Sequence, residues 1–319
     1  MVTTLILKAD DRGIKAACDL LAEGACVALP TETVYGLAAD ATNGKAVAGI
    51  YAAKGRPAFN PLIVHLPDAE SVLGIAEMGP QARLLAARFW PGALTMVLPL
   101  RADAGIASLV TAGLPTIGVR VPAHPVARRL LRAFGRPLAA PSANPSGRIS
   151  PTSAAHVADP DTGLGGRIAA VLDGGDCPVG VGSTIIGWSD DGRPALLRHG
   201  GIPAEDIETL LGTTLLRPES DQTAPSSPGQ LSSHYAPRVA LRLNADRAGP
   251  CETLIGFGPV AAPLSLSERG DLAEAAARLF DILHRADALG LPIAVAPVPD
   301  HGLGAAINDR LRRAAAPRG

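Results

Sequence analysis

Apolar residues recur along the first two thirds of the chain with two alternating spacings. In residues 11–24, Ile14, Ala17, Leu20 and Leu21 fall on one side of a helix. The same pattern predicts helices at 44–55, 80–90, 124–135, 150–158 and 203–212. Short apolar runs predict strands at 25–30, 61–66, 93–98, 116–121, 137–142, 167–175, 182–188 and 195–200. Mixed strands and helices of this kind indicate an α/β layered fold.

The pattern changes in residues 213–237, which are rich in Pro, Ser and Gln and show no periodicity. Such a composition is typical of a linker. Strand and helix spacings return in 238–319, with one long helical pattern at 271–290. We therefore predict an α/β domain at 1–212, a linker at 213–237 and a small α/β domain at 238–319. A linker of this length is either disordered or functional.

Composition excludes several classes of protein. Hydrophobic residues make up 47% of the 319 residues, which is enough for a large core, and the formal net charge of −1 argues against a strongly basic nucleic-acid binder. The four cysteines are scattered, which favours buried free thiols over disulfides or a zinc site. No secretory signal or membrane span is recognisable, so we expect a cytoplasmic protein.

The common nucleotide-binding glycine motifs are absent, but polar residues cluster at the ends of predicted elements. "KGRPAFNP" carries Lys54, Arg56 and Asn60 at a helix C-terminus. Its cations either compensate the helix dipole or clamp a phosphate or carboxylate. In "APSANPSGRISP", Ser150 is predicted to cap a helix that has Pro151 in its first position. The polar residues of that loop either simply favour turns or form a polar cradle for phosphate.

Two strands carry one unusual side chain each. His65 lies in "LIVHLP", where a satisfied core histidine is the commoner explanation. Arg120 lies in "TIGVRVP", on the strand face that it shares with Thr116 and Gly118. An arginine there forms a structural ion pair or binds an anion. "GVGST" adds Ser183 and exposed backbone N–H groups before another strand.

Taken in order, these segments are more specific than any one of them. The chain runs through "LPTETVYGLAAD", "KGRPAFNPLIVHL", "FWPGALTMVL", "TIGVRVP", "PSANPSGRISPT", "GSTIIGW" and "LLRHGGI". This series resembles the YrdC-like domain of L-threonylcarbamoyladenylate synthases. "SPGQLSSHYAP" and "GLGAAINDRLRRAA" resemble the two-domain members of that family. Relatives often carry basic and aromatic residues at positions 230–233, where this chain has Gln, Leu, Ser and Ser.

The resemblance implies a fold and a reaction. The fold is a twisted mixed sheet with helices and a concave basic cavity, followed by a small Rossmann-like α/β domain. The reaction converts L-threonine, bicarbonate and ATP into threonylcarbamoyl-AMP and pyrophosphate, the first step of N6-threonylcarbamoyladenosine formation in tRNA. Mg²⁺ would arrive with ATP, since no metal ligand set of the protein's own is recognisable.

Site residues follow from the same resemblance. Its Lys-x-Arg and Ser-x-Asn signature, implied to be catalytic, falls on Lys54, Arg56, Ser142 and Asn144. The implied ATP contacts are Lys54, Arg56, Asn60, Thr116, Ser142, Ser150, Arg198, His234 and Tyr235. The implied threonine contacts are Thr33, His65, Arg120, Ala140 and Ser183. The linker carrying His234 and Tyr235 would cover the nucleotide.

Other interpretations stay open from the sequence. The domain also occurs in hydrogenase maturation proteins, whose zinc-finger cysteines are missing here. An RNA-binding module using the concave basic surface without catalysis is a second alternative. Among partners we expect small-molecule substrates, hand-over of the product to a tRNA threonylcarbamoyl transferase complex, weak or no direct tRNA binding, and no membrane. Of Thr31, Glu32 and Thr33, we expect Thr33 to touch substrate. Glu32 either orients Lys54 or Arg56, or faces water.

Overall fold

Two sheets organise the chain in this computed structural model, which describes residues 3–218 and 234–317. The described strands are β1 Leu5–Lys8, β2 Val27–Leu29, β3 Gly36–Asp40, β4 Ile63–His65, β5 Leu94–Pro99, β6 Thr116–Arg120, β7 Leu138–Ala139, β8 Ala170–Asp173, β9 Thr184–Trp188, β10 Pro194–Arg198, β11 Leu241–Arg242, β12 Thr253–Gly256, β13 Leu264–Ser265 and β14 Ile293–Val295. The described helices are α1 Asp11–Ala22, α2 Gly44–Lys54, α3 Ala69–Val72, α4 Pro80–Phe89, α5 Ser108–Thr111, α6 Pro125–Phe134, α7 Ala154–Ala158, α8 Ala204–Leu211, α9 Leu272–Ala288 and α10 Leu303–Ala315.

The larger sheet runs in the order β1-β8-β2-β3-β7-β4-β6-β5-β9-β10 within residues 3–218. Its ladders are mixed: β4 pairs parallel with β6, whereas β5 pairs antiparallel with β6 and β2 with β3. The smaller sheet, β11-β14-β12-β13, is parallel in its described part. The predicted mixed α/β fold is therefore confirmed. Strands β1, β3 and β13 were not predicted because each is short or follows directly on a turn.

Separate apolar clusters lie on the two sides of the larger sheet. One packs α2, α4 and α8 against it, and another packs α1 and α6. A third cluster belongs mainly to the C-terminal unit and is built around α9 and α10. Because the C-terminal cluster also includes Ile149, Val181 and Tyr235, the two units share apolar contacts. The boundaries at 212 and 237 stay a prediction.

Local capping explains where the site-bearing helices begin and end. Asn43 caps α2 by accepting the N–H groups of Lys45 and Ala46, and Gly55 ends it with a left-handed φ of 61°. Lys54 is thereby the last helical residue. The predicted cap at Ser150 is wrong, because α7 starts later and Ser153 accepts the N–H of His156.

The end of the predicted linker lies against both units. The backbone N–H of His234 donates to the carbonyl of Arg313 at 3.2 Å, and that of Ala236 donates to the carbonyl of Gly147 at 2.8 Å. The departure noted at positions 230–233 lies outside the described residues.

The expected free thiols are present, although not all are buried. Cys26 and Cys177 are buried, Cys18 is half-buried and Cys251 is exposed. Among residues 3–218 and 234–317, no helix has the length and apolar character that a membrane crossing requires.

Candidate active site

A cavity lies at the ends of the strands β3, β4 and β6, next to the loop 140–150 and the segment 234–235. Its open space is about 60 Å³, which holds a few water molecules and no nucleotide. It is lined by Thr31, Thr33, Val34, Gly36, Arg56, Ile63, His65, Arg120, Ala140, Pro141, Ser142, Ser150, Gly182, Ser183, Arg198, His234 and Tyr235. Eleven residues predicted from the sequence are among them.

The break after β2 forms one wall of the cavity. Thr31 Oγ1 lies 2.8 Å from Thr33 Oγ1 and accepts the N–H groups of Thr33 and Val34, so the turn is held by its own hydroxyl. Arg120, from β6, donates to Thr33 Oγ1 at 2.8 Å. Thr33 is fully buried, and its hydroxyl faces the cavity together with the Arg120 guanidinium.

Glu32 does not orient Lys54 or Arg56, and it does not face water. Its carboxylate pairs with Arg120 Nη2 at 2.6 Å and accepts the N–H of Ala123 at 3.0 Å. Burial raises the pKa of Glu32, but the charge and hydrogen bond of Arg120 outweigh burial and lower that pKa overall. Three of the five Arg120 N–H groups thus have described partners, on Glu32, Thr33 and Gly92. Two remain for a carboxylate ligand.

His65 and Ser183 complete this side of the cavity. Burial, and then the nearby Arg120 charge, lower the pKa of His65 to about 3, so its ring is neutral near pH 7. Ser183 Oγ lies 2.7 Å from Thr95 Oγ1 and accepts from Arg198 Nη2 at 3.1 Å. The arrangement offers an arginine fork, hydroxyls and a neutral imidazole, which suits an amino acid carboxylate and its polar substituents.

Arg56 also lines the cavity, whereas the predicted residues Lys54, Asn60 and Asn144 are not among its lining residues. The Lys54 ammonium donates to the carbonyls of Ser142 and Asn144, which ties α2 to the signature loop. Arg56 donates to the carbonyls of Asn60 and Pro61 at 3.3 and 3.0 Å. Both cations are buried, and neither pairs with a carboxylate of the described residues. Burial lowers the pKa of Lys54 well below its usual value and that of Arg56 to about 10.

His234 and Tyr235 also line the cavity. Their rings lie 4.0 Å apart, and both residues are buried. Burial, followed by the charges of Arg56, Lys54, Arg310 and Arg198, lowers the pKa of His234 well below its usual value. The His234 ring is therefore neutral near pH 7, although four positively charged side chains lie near it.

Unpartnered buried polar atoms concentrate at this site. The described part of the chain has seven such side-chain atoms. Four of them belong to residues that line the cavity or contact its lining: Asn60 Oδ1, His65 Nδ1, His234 Nδ1 and Arg310 Nε. A fifth, Asn144 Oδ1, belongs to the loop whose carbonyls bind Lys54. Because a buried polar group without a partner is costly, these atoms indicate where ligands or water bind.

Thr116 is not brought to the cavity. It begins β6, at the opposite end from Arg120, and lines a separate pocket with Pro99 and Trp188. Sequence reasoning also missed Thr95 and Arg310. Thr95 sat in an apolar run without a distinguishing motif, whereas Arg310 lies in the "INDRLRRAA" helix, whose contact with the other unit no local pattern reveals.

Comparisons with known proteins match this architecture. A family model described as "Telomere recombination" matches residues 19–200, and a model described as "Threonylcarbamoyl-AMP synthase, C-terminal domain" matches residues 202–316. The chain is 43% identical to threonylcarbamoyl-AMP synthase of Bacillus subtilis, over 98% of this chain and 95% of the relative. It is 41% identical to that of Pyrococcus abyssi, over 94% and 93%. The crystal structure of P. abyssi Sua5 complexed with L-threonine superposes with a TM-score of 0.88 at 37% identity, over 99% of this chain and 97% of that one.

Proposed function

The chain belongs to the family of two-domain threonylcarbamoyl-AMP synthases, and on that premise we propose that it makes L-threonylcarbamoyl-AMP and pyrophosphate from L-threonine, bicarbonate and ATP. One observation in the site carries the proposal furthest. Lys54 and Arg56 are buried cations without a described carboxylate partner. A buried cation is costly unless an anion compensates it, and a triphosphate supplies that anion.

The reaction needs positioning more than a covalent protein nucleophile. The threonine amine and bicarbonate give a carbamate and water. A carbamate oxygen then attacks the α-phosphorus of ATP, and the bond to pyrophosphate breaks. Placing a weak nucleophile in line with the α-phosphorus, and neutralising the charge that develops on pyrophosphate, supply the catalysis.

Threonine would bind on the β4–β6 side of the cavity. Arg120 pairs with its carboxylate through the N–H groups that Glu32 and Thr33 leave available. Thr33, Ser183 and the backbone of Ala140 contact its remaining polar atoms, and the neutral His65 offers Nδ1. Glu32 holds Arg120 and is a positioning residue.

ATP would bind on the side of the signature loop. Lys54 and Arg56 carry the phosphates, with Ser142, Asn144 and Ser150 in the loop, and with Asn60 and Arg198 at its two flanks. His234 and Tyr235 must leave their present position to admit the nucleotide, and they then cover it and exclude water. We assign no ATP contact to Thr116, because it lies at the opposite end of β6 from Arg120 and lines a separate pocket.

The residues around the cavity do not suit a Mg²⁺ site of the protein's own. Within residues 3–218 and 234–317, no group of three or more His, Cys, Asp or Glu side chains could hold a metal ion. The described lining of the cavity contains no Asp or Glu. The carboxylate of Glu32, next to the lining residues Thr31 and Thr33, is engaged by Arg120 and Ala123. Any Mg²⁺ would be held by the phosphate oxygens of ATP.

The product places the chain at the first step of N6-threonylcarbamoyladenosine formation in tRNA. We propose that it acts in the cytoplasm and hands the adenylate to a tRNA threonylcarbamoyl transferase complex, with weak or no tRNA contact of its own. A non-catalytic RNA-binding role is not favoured, because Arg56 and Arg120, which line the cavity, are buried rather than exposed on an open surface.

Pyrophosphate release from ATP tests the proposed function. It should require both threonine and bicarbonate, and an adduct of threonine, CO₂ and AMP should form in equal amount. Release without threonine, or none with all three substrates, would contradict it.

A further inference from the structure

Arg310, on α10 of the C-terminal unit, is fully buried next to a cavity that it does not line. Its Nη2 donates to the carbonyl of His199 at 2.7 Å, and its Nη1 binds the carboxylate of Asp309. Its Cζ lies 5.2 Å from the centre of the Tyr235 ring. Its Nε has no partner among the described residues.

These contacts reach two parts of the cavity wall. Tyr235 lines the cavity, and His199 directly follows Arg198, which ends β10 and also lines it. A Cβ placed on Gly182 would lie 3.4 Å from Arg198 Nη2 and 3.6 Å from Arg310 Nη2. The two guanidinium groups therefore converge on Gly182, another residue of the wall.

Packing alone does not require an arginine here. Ile307 and Leu311, on the same helix, belong to the apolar core of the C-terminal unit. Replacing both members of a buried ion pair by apolar residues is often neutral for stability, whereas removing one member leaves the other charge uncompensated. Here the carboxylate of Asp309 also pairs with Arg313, so it keeps a partner when Arg310 is replaced. Apart from Asp309, every described contact of the Arg310 guanidinium goes to the cavity wall or to the turn that carries Arg198.

We propose that Arg310 is a positioning residue that the C-terminal unit supplies to the nucleotide side of the active site. It holds the turn after β10 through the His199 carbonyl, and through that turn it fixes Arg198. Its cation–π contact with Tyr235 is one that the ring gives up when it moves to admit the nucleotide. The inference rests on the proposed function. It makes ATP affinity, but not threonine affinity, depend on a residue outside the catalytic unit.

Three variants of the full-length chain test this inference. Arg310→Met removes the charge and keeps the length of the side chain, whereas Arg310→Lys keeps the charge but cannot make both contacts. Arg312→Met is the matched control, because Arg312 lies on the same helix, is 57% exposed and pairs with Asp300. The measurements are KM for ATP from pyrophosphate release, Kd for threonine alone by calorimetry, and the thermal midpoint.

Arg310→Met should raise KM for ATP about tenfold, as expected for the loss of one charge-assisted contact, with an unchanged Kd for threonine. Arg310→Lys should be intermediate, and Arg312→Met should match the unaltered chain. An unchanged KM for ATP in Arg310→Met, or equal losses for ATP and threonine, would overturn the inference.

If Arg310→Met does not fold, Arg310→Lys decides in the same way. A raised KM for ATP at unchanged threonine Kd supports the inference, and an unchanged KM contradicts it. Failure of the unaltered chain to release pyrophosphate would instead refute the proposed function itself.

Discussion

At the scale of single residues, sequence reasoning predicted identities better than partners. Arg120 was expected to form an ion pair or to bind an anion, and the structure shows the ion pair, with N–H groups left for a ligand. Glu32 was misjudged because its partner lies 88 residues away. Glu32 follows β2 and Arg120 ends β6, so only the folding of the sheet brings them together, and no local sequence pattern predicts their pairing.

The Glu32–Arg120 pair is expected to set threonine affinity. Glu32→Gln keeps the shape but loses the charge that orients Arg120, so Kd for threonine should rise about tenfold. ATP affinity should change less than about twofold, because the proposed ATP site includes neither Glu32 nor Arg120. Calorimetry with each ligand measures both values. Asp19→Asn, in an exposed ion pair with Lys15, is the control, and an equal loss for both ligands would count against the assigned role.

Lys54 is expected to matter through its charge and its tie to the signature loop. Lys54→Met should lower kcat/KM for pyrophosphate release by about 10²-fold or more, since it removes a cation from the phosphate side and releases the loop 142–144. Lys45→Met, at an exposed position on the same helix, should leave turnover unchanged. Near-normal turnover of Lys54→Met would remove Lys54 from the mechanism.

At the scale of elements, hydrophobic periodicity predicted most helices, but the residues that cap the helix ends were harder to predict. Ser150 directly precedes Pro151, whereas Ser153 directly precedes Ala154, and only Ser153 accepts a helical N–H, that of His156. The carbonyl of Ser150 instead lies 3.2 Å from His284 Nε2, on the other unit. The local sequence around Ser150 does not encode this contact with the C-terminal unit.

The turn after β10 is expected to tolerate no side chain at Gly200. A Cβ there would lie 2.2 Å from backbone atoms of Ser183 and Thr184, so β9 or the turn must move. Gly200→Ala should lower the free energy of unfolding by about 2–3 kcal/mol. Gly44→Ala, with only one atom at 3.9 Å, should change it by less than about 0.5 kcal/mol. Chemical denaturation compares the two, and equal stabilities would contradict the close approach.

At the scale of the whole molecule, the sequence indicated two α/β units but not how closely they cooperate. His156 on α7 and His284 on α9 stack with ring centres 4.0 Å apart across the junction. Arg310 and Tyr235 join the units at the cavity. These contacts depend on docking of the two units, which hydrophobic periodicity within each unit does not report.

The histidine stack makes stability at the junction depend on pH. Burial, and then the neighbouring His156, lower the pKa of His284 to about 4 from 6.5. Between these pH values the unfolded chain binds a proton that the folded chain excludes, so stability falls as pH drops from 6.5 towards 4. His284→Gln should reduce that slope by up to about 1.4 kcal/mol per pH unit. His301→Gln, at an exposed position, should not. Unfolding curves across this range measure both, and an unaltered slope in His284→Gln would contradict the account.

The most direct measurement of the central claim is pyrophosphate release by the purified full-length chain, with threonine and bicarbonate omitted in turn. The account predicts release from ATP only when both are present, together with formation of threonylcarbamoyl-AMP. Pyrophosphate release that ignores threonine, or its absence with the complete mixture, would contradict it.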